Sequence, residues 1–310
     1  MSEPKTGVLP YLALLSLALI WGISFVFIKV AVHDMSPIVL VLIRSLAGTA
    51  VLVVILSAMR RPLFGPDWRS RVVPFLIMAV INALLPWAAI AWGEERITSG
   101  LASVLNATVP IWAAILTYWI LPSDRPSTLN YIGVVVGLGG VVILVLPRLA
   151  ASGFGGDLIG VLAVLVAALS YAAGAIFQRR RLRGMDVYQA SLGPLVLTSL
   201  IAIPFAAPSV PGWHLDWHSI AAVLFLGAVG SGIAYLLYFY ILNSLGPVRG
   251  SGVTLLVPVT AVFWGVVLLH ETVSATMVVG MLVILGGIVL TNLKKRSAAA
   301  EPAREKQAAA

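Results

Sequence analysis

The chain has 310 residues, is 60% hydrophobic and only 10% charged, and carries no cysteine and a net charge of +8. Soluble domains carry a charged fraction of about 25%, so this composition excludes an ordinary globular enzyme and points to an integral membrane protein. The lack of cysteine excludes disulfides, thiolate nucleophiles and thiolate metal sites. The basic residues fall in short clusters between apolar runs, which favours membrane orientation over nucleic-acid binding as their purpose.

Windows of about 20 apolar residues between turn or charge signals predict ten transmembrane helices. In chain order they run from Pro10 to Val32, Pro37 to Met59, Val72 to Gly93, Ser99 to Leu121, Leu129 to Leu146, Leu158 to Phe177, Val187 to Ala206, Ser219 to Leu242, Pro247 to Leu269 and Ala275 to Leu293. Several open at Pro or just after Ser or Asp, where a helix tolerates a missing amide or gains a cap. The segment before the first span has one basic residue, Lys5, and no small-residue cleavage site, so the first span is expected to persist in the mature protein.

With a cytoplasmic N-terminus, the inner segments collect 16 of the 20 Lys and Arg, the outer segments hold Arg96 and Arg148, and Lys29 and Arg44 lie within the membrane. Positive charge accumulates on the cytoplasmic side, so both termini are expected there, in a multi-pass protein of the inner (plasma) membrane. The N-terminal segment 1–9 is then cytoplasmic, and the polar, Ala-rich tail 294–310 has too little apolar surface to fold.

The fourth and fifth spans repeat in the ninth and tenth. Ala102, Ser103 and Pro110 match Gly250, Ser251 and Pro258 at a shift of 148 residues. Gly133, Gly139 and Gly140 match Gly280, Gly286 and Gly287 at a shift of 147. A weaker match at a shift of 150 places Tyr171 on Trp21 and Arg179 on Lys29. Five spans per half is an odd number, so the second half, 157–293, enters the membrane in the opposite sense to the first, 10–147. Inverted repeats create a pseudo-two-fold axis in the membrane plane, with a site near the midplane that rocking can open to either side.

WGISFVFIK in the first span, Pro37 with Arg44 in the second, the A-S-x6-P-type segments of spans four and nine and the Gly-rich fifth and tenth spans resemble the EamA-type transporters of the drug/metabolite transporter superfamily. The resemblance covers about residues 10 to 293. It implies an all-α polytopic fold of ten helices in two inverted five-helix repeats. It also implies export of amino acids or related metabolites, with amino acid exporters of the YddG type the nearest functional class. LPSDRPS in the first half departs from the acidic pattern that LLHETVS keeps in the second, and QRRRLRG is more basic than is usual after the sixth span.

Polar side chains deep in a span are costly against lipid and should face protein or a wet cavity. Trp21, Asn82, Asn106, Tyr171, Ser231 and Thr254 lie deep, and with Ser24, Ser103 and Tyr235 they form the expected lining of a central substrate site. Such a lining suits a zwitterion with an apolar side chain, Asn and Ser meeting the charged ends and Trp and Tyr the rest. The bland alternative for Ser24, Ser103 and Ser231 is a bond to a carbonyl one turn back. Trp87, Trp92, Trp213 and Trp217 read as interface belts or packing. Pro110 and Pro258 occupy matching positions and are expected to act as hinges, against the alternative of static kinks. Gly133 and Gly137 read as a packing notch. One or both of Lys29 and Arg44 are expected to pair with Glu94 or Glu95 in an outer gate, against simple snorkelling.

No Asp, Glu or His lies near a helix midpoint; Glu94, Glu95, Asp124, His270 and Glu271 all sit at span ends. Proton relays use such groups in the membrane interior, so a facilitated carrier is favoured, with proton linkage left open. Rival readings are a channel-like pore, a multidrug exporter, an intramembrane enzyme and a non-transporting subunit. No HExxH, GxSxG or phosphate-loop spacing supports enzyme chemistry, and no cofactor or metal site is expected. The expected partners are a small-molecule substrate and lipid, with the monomer as the working unit.

Overall fold

The computed structural model describes residues 8–66, 68–120, 127–152, 155–182, 185, 187–212, 216–250 and 252–292. Lys5, Asp124, Arg125, Arg183, Trp213, Ser251 and the tail after 293 lie outside the described residues. Helix accounts for nearly all of the rest, because a backbone in hydrocarbon must satisfy its amides and carbonyls internally. Among the described residues, eight helices are long and apolar enough to cross a membrane, and two shorter apolar ones, Val253–Leu269 and Ala275–Thr291, complete a set of ten.

Spans 1 and 2 are Leu9–Ala31 and Pro37–Ala58. Pro10 and Pro37 sit in their first turns, where a missing N–H leaves no acceptor unpaired. Span 3, Trp68–Glu94, starts earlier than its apolar pattern predicts. Span 4 is two helices, Ser99–Asn106 and Val109–Ile120, with a break at Ala107 and Thr108. Span 5, Thr128–Ser152, runs through Pro147 beyond its predicted end at Leu146. Spans 6 and 7 are Gly156–Arg181 and Val187–Ala206. Span 8 begins at Trp217 and stays helical to Gly250, past the predicted start of span 9 at Pro247, so span 9 starts only at Val253. Span 10 is Ala275–Asn292.

The two halves pack by a two-fold pattern. Span 1 lies on span 9 and span 6 on span 4; span 1 lies on span 8 and span 6 on span 3; span 2 lies on span 8 and span 7 on span 3. Spans 2 and 7, and spans 5 and 10, pair with each other across the axis. Spans 3 and 8 even share a local irregularity, a π-helical turn at Val80–Leu84 and another at Ala228–Ile233, closed by Leu85 N–H to the Val80 carbonyl and Ala234 N–H to the Val229 carbonyl. In the first, Pro86 cannot donate to the Asn82 carbonyl, and its ring crowds that carbonyl. In the second, Gly230 and Gly232 offer no Cβ to hold the regular helix.

Glycine decides where the paired spans meet. A Cβ on Gly287 would stand 2.5 Å from the Gly137 amide nitrogen, and one on Gly133 2.6 Å from the Gly287 carbonyl oxygen, so spans 5 and 10 touch backbone to backbone. A Cβ on Gly22 would stand 2.9 Å from the Ala261 amide nitrogen at the crossing of spans 1 and 9. Small residues allow such approach, and in lipid this close packing replaces the missing hydrophobic drive.

Candidate functional site

The two ends of the bundle differ in chemistry. One carries the arginine-rich links between spans 2 and 3 and after span 6; the other carries His33, Asp34, Glu95, Asp216, His218 and His270. At the histidine end the bundle is closed. Lys29 donates to the backbone carbonyls of Glu94 and, at 3.1 Å, of Ile97, fastening span 1 to the end of span 3. Ser219 at the start of span 8 donates to the Val30 carbonyl at 3.2 Å and the Asp34 carboxylate at 2.5 Å. Phe27 of span 1 meets Phe225 of span 8 edge-on at 4.7 Å.

The hydroxyl of Ser219, then the ring of His33, holds the Asp34 carboxyl below the ordinary aspartate value of 3.8. A depressed carboxylate stabilises the folded form above its unfolded pKa and loses that contribution as pH falls through the folded one. The Asp34–Ser219 closure is therefore intact at neutral pH and weakens only in acid below 3.8. Ser219→Ala should move the Asp34 titration, followed by NMR of labelled aspartate, up toward 3.8. An unmoved titration would show that Ser219 does not hold this carboxylate.

Toward the arginine end a cavity of about 240 Å³ lies between spans 3, 6, 7 and 8. Asn82, Trp87, Gln178, Ser191, Tyr235 and Tyr238 form its polar and aromatic wall, and Met78, Ala83, Ala190, Pro194 and Leu195 the apolar remainder. One helical turn from Tyr235, toward the histidine end, Ser231 accepts from Arg44 Nε at 3.1 Å. The Arg44 guanidinium lies 3.9 Å over the ring of Trp87.

Of the sequence-predicted residues, Asn82 and Tyr235 line this cavity and Ser231 and Arg44 stand behind it. Tyr171 packs beside Trp87 in the same apolar cluster. Trp21 supports the wall from outside, 5.5 Å from Tyr238, and donates to the Gly230 carbonyl at 3.3 Å. The remaining four are elsewhere. Ser24 bonds the Ile20 carbonyl at 2.7 Å and Ser103 the Gly100 carbonyl at 2.7 Å, each one turn back in its own helix. Asn106 ends the first piece of span 4 with its buried Oδ1 unpartnered, and Thr254 is half-buried in the first turn of span 9.

The expected hinge and gate geometry needs correction. Pro110 is not mid-helix: the break at Ala107 and Thr108 puts it in the first turn of Val109–Ile120, where its missing N–H breaks no bond. Pro258 does lie inside span 9. Lys29 reaches the main chain of Glu94 rather than its carboxylate, both of whose buried oxygens have no hydrogen-bond partner. Glu95 pairs with Arg96 at 2.9 Å, and Arg44 is taken by Trp87 and Ser231. A long cation one turn from a helix end finds carbonyls that its neighbour's last turn leaves free, and these are nearer than a side chain pointing inward.

Several contributors were not readable as such. Trp87 reads as belt or packing, yet it is buried against Arg44 and forms the cavity wall, whereas Trp92 and Trp217 are exposed as a belt requires. Gln178, Ser191 and Tyr238 sit near predicted span ends and carried no signal beyond polarity. The π turns also matter: Ser170 of span 6 donates to the Ile81 carbonyl at 2.6 Å, as Trp21 of span 1 does to that of Gly230, so each turn is tied to the opposite half.

Comparison with known proteins agrees with this architecture. The profile of the EamA-like transporter family matches twice, over residues 8–146 and 158–293. The chain belongs to the EamA-like transporter family. It is 27% identical to the uncharacterized transporter YoaV of Bacillus subtilis, over 90% of this chain and 95% of that one. It is also 27% identical to the uncharacterized inner membrane transporter YedA of Escherichia coli K12, over 94% and 92%. A crystal structure 19% identical in sequence superposes with a TM-score of 0.62, covering 91% of this chain and 95% of the other, which supports the fold. The EamA-like family and these relatives make the chain a multi-pass membrane transporter and not an enzyme.

Proposed function

We propose that the chain is a secondary carrier that exports amino acids or related small amphipathic metabolites across the inner membrane by alternating access, with both termini cytoplasmic and the monomer as the working unit. The observation that carries the reading is an asymmetry between the halves. Span 1 packs on spans 3 and 4 at the histidine end, whereas the two-fold counterparts, span 6 on spans 8 and 9, are not packed to that extent among the described residues. One end is thus sealed while a cavity lies toward the other, and exchanging the two arrangements would open the opposite face. The halves 10–147 and 157–293 are the rocking units of this reading, with flexure at Pro258 and at the break before Pro110. Arg-rich loops on the open side make that side cytoplasmic by charge bias. At about 240 Å³ the cavity falls below the roughly 300–1,000 Å³ of drug-sized sites, which favours a small metabolite over multidrug export.

Reconstituted vesicles loaded with single unlabelled amino acids should accumulate the labelled form by saturable counterflow. A pH gradient imposed in parallel separates facilitated from proton-linked transport. Flux linear in concentration would make the protein a pore, and no flux with any amino acid would remove this reading.

A further inference from the structure

Arg44 is a buried cation with hydrogen-bond donors left over among the described residues. Only 9% of it is exposed, it forms no ion pair among the described residues, and of its guanidinium nitrogens only Nε has an acceptor, Ser231 Oγ at 3.1 Å. Nη1 and Nη2 donate to nothing described, and neither is among the sealed, unpartnered buried atoms. A guanidinium taken out of water without an anion is costly, so the arrangement is complete only when something anionic arrives. Glu94, the deep carboxyl group near it, makes no ion pair with it, and both Glu94 oxygens are buried without a hydrogen-bond partner.

The surroundings say what arrives. Trp87 holds the guanidinium plane at 3.9 Å, which fixes the fork and leaves its Nη edge for a planar, two-oxygen acceptor. Trp87, beneath the guanidinium, is also part of the cavity wall, so Arg44 is the cation next to a cavity whose described lining contains no Lys or Arg. One cation suits a singly charged carboxylate better than a phosphate monoester, and the aromatic wall of Trp87, Tyr235 and Tyr238 suits an apolar body on that carboxylate. We infer that Arg44, stacked on Trp87, is the carboxylate-recognition subsite of the cavity, and that the substrates are small organic acids or amino acids bound through their carboxylate. This deepens the carrier reading and rests on it only for what happens to the molecule after binding.

The test uses four probes with one apolar body: 3-phenylpropanoate, phenylalanine, 3-phenylpropanamide and 3-phenylpropylamine. Calorimetric titration of the purified protein should give binding of the two carboxylates at least tenfold tighter than of the amide or the amine. Arg44→Lys should lose at least tenfold for the carboxylates, since an ammonium cannot make the bidentate fork, and Arg44→Gln should erase the preference. The wild-type comparison stands even if Arg44→Gln does not fold. Equal binding of all four, binding of none, or a preference that survives in Arg44→Gln overturns the assignment. Counterflow of labelled phenylalanine and 3-phenylpropanoate is read separately: carboxylate-selective binding without exchange would remove the carrier and leave the subsite, and exchange of the amine as fast as the acids would do the reverse.

Discussion

Gly287→Val is expected to lower the stability of the purified protein by about 3 kcal/mol or more, whereas Gly286→Ala, one residue away, is expected to leave it unchanged or raise it by up to about 1 kcal/mol. The contrast follows from which glycine faces the partner helix. A Cβ at Gly287 would lie 2.5 Å from the amide nitrogen and 2.6 Å from the Cα of Gly137, and 2.7 Å from the Gly133 carbonyl oxygen. These are backbone atoms that no rotamer change can clear, so spans 5 and 10 would have to move apart along their whole seam. At Gly286 a Cβ meets nothing within 4 Å, and there the substitution only trades glycine's backbone freedom for alanine's helix preference. The same pairing holds across the axis, where Gly140 faces Ile284 and Gly139 faces open space. Thermal unfolding of both variants decides the matter: equal effects at positions 286 and 287 would mean that the seam does not run where the structure puts it.

Glu271→Ala should cost about 3 kcal/mol, with Glu271→Gln near half of that, because two charge-assisted hydrogen bonds to a helix start are lost together. Glu271 Oε1 accepts from the Ser99 amide at 2.7 Å and Oε2 from the Gly100 amide at 3.1 Å, so a residue from the link between spans 9 and 10 satisfies the free N–H groups that open span 4. The approach is built in advance. His270 takes a left-handed conformation at φ 54°, and the Glu271 amide reaches back to the Gly265 carbonyl at 3.1 Å. A Cβ on Gly265 would fall 2.7 Å from Glu271 Oε2 and 3.0 Å from Ser99 Oγ, so only glycine leaves room for the carboxylate. Hydrogen exchange at Ser99 and Gly100 should accelerate in Glu271→Ala well before global unfolding. Unchanged exchange together with an unchanged melting temperature would show that the carboxylate does not carry this junction.

The membrane class, the ten apolar runs, the repeat and its inversion are legible in the order of residues alone, because lipid imposes length and hydropathy on every span and an odd number of spans per half forces the second half over. The glycine repeats are legible there too, as is the place of Asn82, Ser231 and Tyr235 in a central lining, whereas Arg44 reads as part of an outer gate and in the structure stacks on Trp87 and bonds Ser231. Direction around each helix axis was not legible: Gly286 and Gly287 are identical in composition and opposite in role, and Trp87 and Trp92 are both tryptophans near one span end, one in the cavity wall and one in the belt. Only the packed bundle decided these, as it decided that Lys29 bonds carbonyls rather than a carboxylate and that span 4 breaks before Pro110. Hydropathy averages over a turn, whereas a contact depends on the facing atoms of another helix more than a hundred residues away, and those are fixed only when all ten pack.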